Sequence, residues 1–244
     1  MLALAPAPAA PSPPSTSELR DGHADLGPVY QDGRWQIQLK DDTSGTTRWR
    51  DPAGVGLRIS DAARHPLPDD SDYAFLGSPG DEVYLIPQTQ VSGVLWLGWN
   101  TQHPSLDRRQ ISDVAFSLHD LTGPGNLHVY LDYSGFRAPQ QLWDGTDVTQ
   151  TIDVLPGVHT HANWAFSAPG DYHAVFTATL TPRDGDKVSA SADLHFLVSD
   201  SATTTATSSR SSVPVGPVAA AAAVVVTAVV VPVVARRRRR GARR

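Results

Sequence analysis

Two histidines in the stretch GVHTHANWAFSAPGDY, His159 and His161, lie two residues apart. Successive side chains of an extended strand point to opposite faces, so residues two apart share one. The alternation predicts His159, His161 and Asn163 on one face and Val158, Ala162, Trp164 and Phe166 on the other, with Thr160 the polar exception. Two imidazoles on one strand face can aim at a single ion, because Zn–N bonds of about 2.0–2.1 Å are reachable from adjacent same-face rings. A third ligand must come from elsewhere in the chain. His173 and His195 are candidates, since both fall on the non-core face of the closing hairpin. The competing reading is that His159, His161 and Asn163 hydrogen-bond neighbouring loops and lock the turn, their imidazoles satisfied by backbone carbonyls.

Other chemistry is sparse. The chain has no cysteine, which excludes a disulfide framework, a thiolate metal site and a cysteine nucleophile. It has no Gly-x-Ser-x-Gly elbow, no His-Glu-x-x-His and no phosphate-cradling loop. Asp69, Asp70 and Asp72 cluster in PLPDDSDY, which reads as a solvated loop. Trp96 and Trp99 in VLWLGWNT read as core packing rather than a sugar platform, because Val94, Leu95 and Leu97 interleave them. The expectation is a binding module rather than an enzyme. A tethered hydrolase survives only if folding brings two carboxylates together.

The elements that must position these residues are strands. Apolar residues alternate in RWQIQLK, VGLRI, DVAFSLHD and NLHVYLD, and turn chemistry separates the runs at Asp32-Gly33, GSPGD, GPG and RDGD. Tyr172 to Leu180 and Val188 to Val198 form the best-defined hairpin. The sequence FSAPGDY sets a tight turn before a tyrosine that opens a strand, as in the tyrosine corner of immunoglobulin-like folds, with Trp164 as the core tryptophan. The predicted fold is all-β: an immunoglobulin-like β-sandwich over about 104–198, preceded by a β-rich region at 21–103 that is either a module of its own or extra strands on the same sandwich.

Both ends differ from this middle. Residues 1–20 begin in Ala, Pro and Ser and read as disordered, with an Ala-x-Ala ending that resembles the cleavage region of an export signal whose beginning lies upstream of the assigned start. Residues 199–212 are a Ser/Thr-rich linker. Val213 to Ala235 carry no charge over 23 residues. At about 1.5 Å per residue a helix of that length reaches ~34 Å, sufficient to cross a bilayer. RRRRRGARR follows at 236–244 and places that end in the cytoplasm, so residues before 213 are expected outside the cell. This tail holds seven of the 20 Lys and Arg, which leaves 13 basic against 25 acidic residues before it. An acidic exterior part argues against nucleic-acid binding.

With these pieces in place the chain resembles the actinobacterial choice-of-anchor M domain proteins, also described as ABC-transporter-associated surface-anchored repeat proteins. The resemblance rests on LPGVHTHANWAFSAPGDYHAVFTATLTPRDGDKVSASADLHFLV, supported by DGHADL, DPAGVGLRI, YAFLGSPGDEVYLIPQTQ, VLWLGWNT and LTGPGNLHVYLDYSG, and it covers about residues 21–198. It implies an exported, surface-anchored protein acting near a transporter for zinc or manganese. It also implies that His23 of DGHADL completes a metal site with His159 and His161, with Asp25 two residues on as a carboxylate. VPVGP is no sortase motif, so the helix itself would be the anchor. The resulting expectation is a non-enzymatic surface module that captures zinc or manganese; the alternative is a structural or adhesive surface protein whose histidines only shape the fold.

Overall fold

The computed structural model describes residues 17–133, 137–144, 150–200 and 234–235. In chain order its strands are β1 (Ser17–Leu19), β2 (Gly22–Gln31), β3 (Arg34–Asp41), β4 (Arg48–Arg50), β5 (Val55–Ile59), β6 (Arg64–Pro66), β7 (Glu82–Ile86) and β8 (Leu95–Asn100). A single helical turn, α1 (Ser105–Arg108), precedes β9 (Ile111–Thr122), β10 (Leu127–Tyr133), β11 (Arg137–Asp144) and β12 (Thr151–Val154). The chain continues through β13 (His159–His161), β14 (Asn163–Phe166), β15 (Gly170–Pro182) and β16 (Val188–Val198), and β17 is the two residues Val234–Ala235. The all-β expectation holds, and alternation located VGLRI and the strand from Val188 to Val198 to the residue.

Among the described residues these strands form three sheets. One runs β1-β5-β16-β15-β9-β12-β17, a second β11-β10-β14-β7-β6, and a third β13-β8-β2-β3-β4. The hairpin between β2 and β3 closes through Asp32 and Gly33, both at positive φ (51° and 80°), the conformation a two-residue turn needs to match strand twist. The β15–β16 hairpin pairs without a break from Gly170↔Val198 to Leu180↔Val188. It turns Tyr172, Ala174, Phe176, Ala178 and Leu180 into the core. Trp99 from the third sheet meets Trp143 from the second with ring centroids 5.6 Å apart, and Trp143 lies 6.2 Å from Phe176 of the first. All three sheets therefore share one core. Trp164 lies inside it, 0% exposed, as its apolar strand face required.

One question that the sequence leaves open is answered, and two boundaries differ from the sequence reading. Residues 21–103 are not a separate module: β5 pairs with β16, β7 with β14 and β8 with β13, so both regions contribute to every sheet. At the front, disorder to residue 20 is corrected by β1, which runs parallel beside β5 with Leu19 buried. The reason is an ion pair that apolar periodicity cannot reveal. Arg58, buried at a position read as the polar side of VGLRI, grips Glu18 through Nε (3.0 Å) and Nη2 (2.9 Å). The same guanidinium donates to the Ser199 carbonyl (2.9 Å), and Ser199 N–H donates to Ile59 O (2.7 Å), so the folded part ends beyond 198 and not at the expected linker start.

The rest of the linker, the tail expected in the cytoplasm and residues 1–16 lie outside the described residues, as does the expected membrane span apart from Val234–Ala235, which pair with β12. No helix among the described residues is long and apolar enough to cross a membrane.

Candidate metal centre

The third sheet puts the site on one face of three adjacent strands. β8 is in the middle. β2 runs parallel to it with His23 opposite Trp96 and Asp25 opposite Gly98, and β13 runs antiparallel with His159 opposite Asn100 and His161 opposite Gly98. Period-two alternation then places His23 and Asp25, and His159 and His161, on the same face from opposite sides of β8. The two flanking strands are separated by two strand spacings, about 9–10 Å. Their side chains can meet only by leaning over β8. Gly98 makes that possible: a Cβ there would lie 2.5 Å from Thr160 O, 2.8 Å from Asp25 Oδ1 and 2.9 Å from His161 Cε1.

The ligand atoms converge. The Nε2 atoms of His23, His159 and His161 form a triangle with sides of 3.2, 3.2 and 3.0 Å. Asp25 closes it, with Oδ1 3.0 Å from His159 Nε2 and 3.6 Å from His161 Nε2, and Oδ2 3.3 Å from His23 Nε2. A tetrahedral ion with Zn–N bonds of about 2.0–2.1 Å sets its ligand atoms roughly 3.3–3.4 Å apart. The four side chains can hold a metal ion. The three histidines expected to form the site, with Asp25 beside them, are the residues that the fold brings together.

Surrounding groups set the protons. Asp42 Oδ2 lies 2.9 Å from His23 Nδ1 and also accepts from Lys40 Nζ at 2.7 Å. Asp42 is held below the ordinary carboxylate range, since hydrogen bonds from Lys40, Thr47 and His23 outweigh its burial. An ionised carboxylate only accepts, so His23 Nδ1 carries hydrogen, and in the neutral ring the Nε2 lone pair faces the triangle. His161 stacks on Trp96, with centroids 3.7 Å apart and planes at 12°. Asn100 Nδ2 reaches Asp25 Oδ2 at 3.3 Å.

Electrostatics follow from this packing. Burial pushes His161 down to about 3, reinforced by His159 and His23 and only partly offset by Asp25, so the ring is neutral at any physiological pH. Burial alone would favour the acid form of Asp25, but the His159 and His23 rings, which donate to it through Nε2 when protonated, hold it far below the carboxylate range. His23 is raised: burial opposes its protonation, and the Asp25 and Asp42 carboxylates prevail. A buried anion ringed by imidazole nitrogens is a place where a cation substitutes for a proton.

The other singled-out residues lie elsewhere. Asn163 does not join the histidines, because the chain changes sheets between His161 and Asn163; its Oδ1 accepts from Gln88 N (2.8 Å) and its Nδ2 donates to Asp132 (2.8 Å). His173 and His195 face each other across the β15–β16 hairpin as a stacked pair, centroids 4.4 Å apart and planes at 6°. Trp99 is core, as expected, whereas Trp96 is only partly buried and forms a wall of the site. Asp42, Gly98 and the role of Trp96 escaped sequence reasoning. The glycine carried a signal, since a glycine inside an apolar strand marks a close approach.

No family model matches this sequence, and neither curated proteins nor solved structures give a match.

Proposed function

We propose that the chain is a non-enzymatic metal-binding module held at the cell surface, which captures a divalent ion through His23, Asp25, His159 and His161. The observation that carries this reading is the triangle of imidazole nitrogens 3.0–3.2 Å on a side, capped by a buried carboxylate and backed by an outer one on His23. Four protein ligands are the mark of a holding site, whereas catalytic zinc keeps one position open for water or substrate. The resemblance to choice-of-anchor M proteins supports export and a place beside a zinc or manganese transporter. The hydrogen bond from Tyr172 to Ala168 O (2.8 Å) and the buried Trp164 support an immunoglobulin-like sandwich as the carrier.

The membrane anchor rests on the uncharged run at 213–235 and the arginines behind it. Val234 and Ala235 cannot sit beside β12 and end a transmembrane helix at the same time, and protease protection of the tail in intact cells decides between the two.

A structural or adhesive surface protein is the second reading. It is favoured by the hydrogen bond between His159 and Asp25 (3.0 Å), which ties β13 to β2 without an ion. Metal analysis of the full chain purified in detergent separates the two. Metal capture predicts one equivalent of a divalent ion in the wild type and none in a His159→Ala, His161→Ala variant, with affinity falling as pH drops through the raised value of His23, which must lose its proton to bind. Equal binding by both proteins, or none by either, contradicts it.

A further inference from the structure

We infer that the centre selects zinc over manganese, because the fold presents a braced triangle of three imidazole nitrogens closed by a single carboxylate. This inference rests on the metal-binding reading above and adds to it the identity of the ion and the residues that enforce it.

Donor chemistry is the first argument. Imidazole suits zinc and its late first-row neighbours, while manganese favours six ligands rich in carboxylate, carbonyl and water oxygen, and the order of stabilities places zinc well above manganese at a nitrogen site. Here nitrogen supplies three of the four ligands. Asp25 offers one ligand oxygen, and its Oδ2 also accepts from the Asn100 amide at 3.3 Å.

Bracing is the second. A softer cradle could widen and admit water to suit manganese. In this one the His161 ring is pressed against Trp96, which is itself fixed by a hydrogen bond from Nε1 to Gln88 O (3.0 Å). His23 is fixed at Nδ1 by Asp42, which Lys40 holds in turn. Beneath them the Gly98 backbone leaves no room even for a methyl group. The side chains of Asp25 and His161 are 0% and 7% exposed, against 30% for His159, so an ion reaches the centre from the His159 side. Preference for zinc is built from the walls as well as from the ligands.

The test uses the full chain in detergent with zinc, manganese and cobalt(II) as probes. Competition is expected to favour zinc on the order of a thousand-fold. Cobalt(II) is expected to give the intense visible bands of a four-coordinate ion. Replacing the most accessible ligand, His159→Asp, exchanges nitrogen for oxygen and should narrow the zinc preference. Manganese binding as tightly as zinc, or the weak bands of six-coordinate cobalt, overturns the inference while leaving the metal-binding reading intact. Failure of all three ions to bind overturns that reading itself. If His159→Asp does not fold, the wild-type competition and the cobalt spectrum still decide.

Discussion

Two groups of histidines sit on strand faces of this protein and end in opposite arrangements. His173 and His195 are direct neighbours on adjacent strands; their rings lie one strand spacing apart and stack flat, 4.4 Å between centroids. His23 faces His159 and His161 across an intervening strand, and the rings tip edgewise until their Nε2 atoms are 3.2 Å apart. Adjacency brings faces together. Separation by a strand whose central residue is glycine brings lone pairs together, and only the second geometry points several donors at one position. What makes a candidate metal centre here is the register of three strands, with Gly98 opposite both Asp25 and His161, rather than the number of histidines.

The contrast is broken most severely by deleting one group at a time. His159→Ala with His161→Ala should abolish zinc binding in calorimetry, whereas His173→Ala with His195→Ala should leave the affinity within about two-fold, since separated sites behave independently. Next in size is Gly98→Ala. Its methyl would contact Asp25 Oδ1 and the His161 ring, and displacement of two ligands should weaken zinc on the order of a hundred-fold or more. Asp42→Asn keeps the shape but weakens the charge behind His23, and an outer partner of this kind is worth about 10–100-fold in affinity.

Stability provides a further comparison. Zinc at about a thousand times its dissociation constant adds ~4 kcal/mol to a protein that binds it only when folded, and about 2–4 °C of Tm per kcal/mol is typical for a domain of this size. Calorimetric scans should show that rise in the wild type and in the His173/His195 variant, and its absence in the His159/His161 variant.

The smallest effect belongs to the stacked pair. Burial, with the nearby His173 and Arg58, holds His195 below the usual histidine value against the pull of Asp171 and Glu18. The folded protein therefore binds fewer protons at His195 than the unfolded chain. Its contribution to stability is complete above about pH 6.5 and is lost as pH falls through the lowered value. Denaturant titrations across that interval should show a shallower acid loss in His195→Gln than in the wild type.

Much of this was legible in the sequence, and the illegible parts share a cause. Alternation found the long strands because one of their faces is greasy: Phe176, Leu180 and Phe196 are each 0% exposed. The same alternation put His159 and His161 on one face. It failed where a strand is buried on both sides or changes sheets. Arg58 lies in a strand buried along its whole length, so its polar position looked like a solvent face. Asn163 continued the histidine pattern on paper, yet the chain crosses to another sheet just before it. Asp42 acts through register with strands distant in sequence, which leaves no local mark, and Gly98 inside its apolar strand signals a close approach without naming the strands that make it.

Zinc tests the account most directly when its position is seen. An anomalous-scattering map from crystals of the zinc-loaded protein should show one strong peak about 2.0–2.1 Å from the Nε2 atoms of His23, His159 and His161 and bonded to Asp25. A map with no peak there, or with zinc at the stacked pair of His173 and His195 instead, would contradict the claim that three-strand register builds the metal centre.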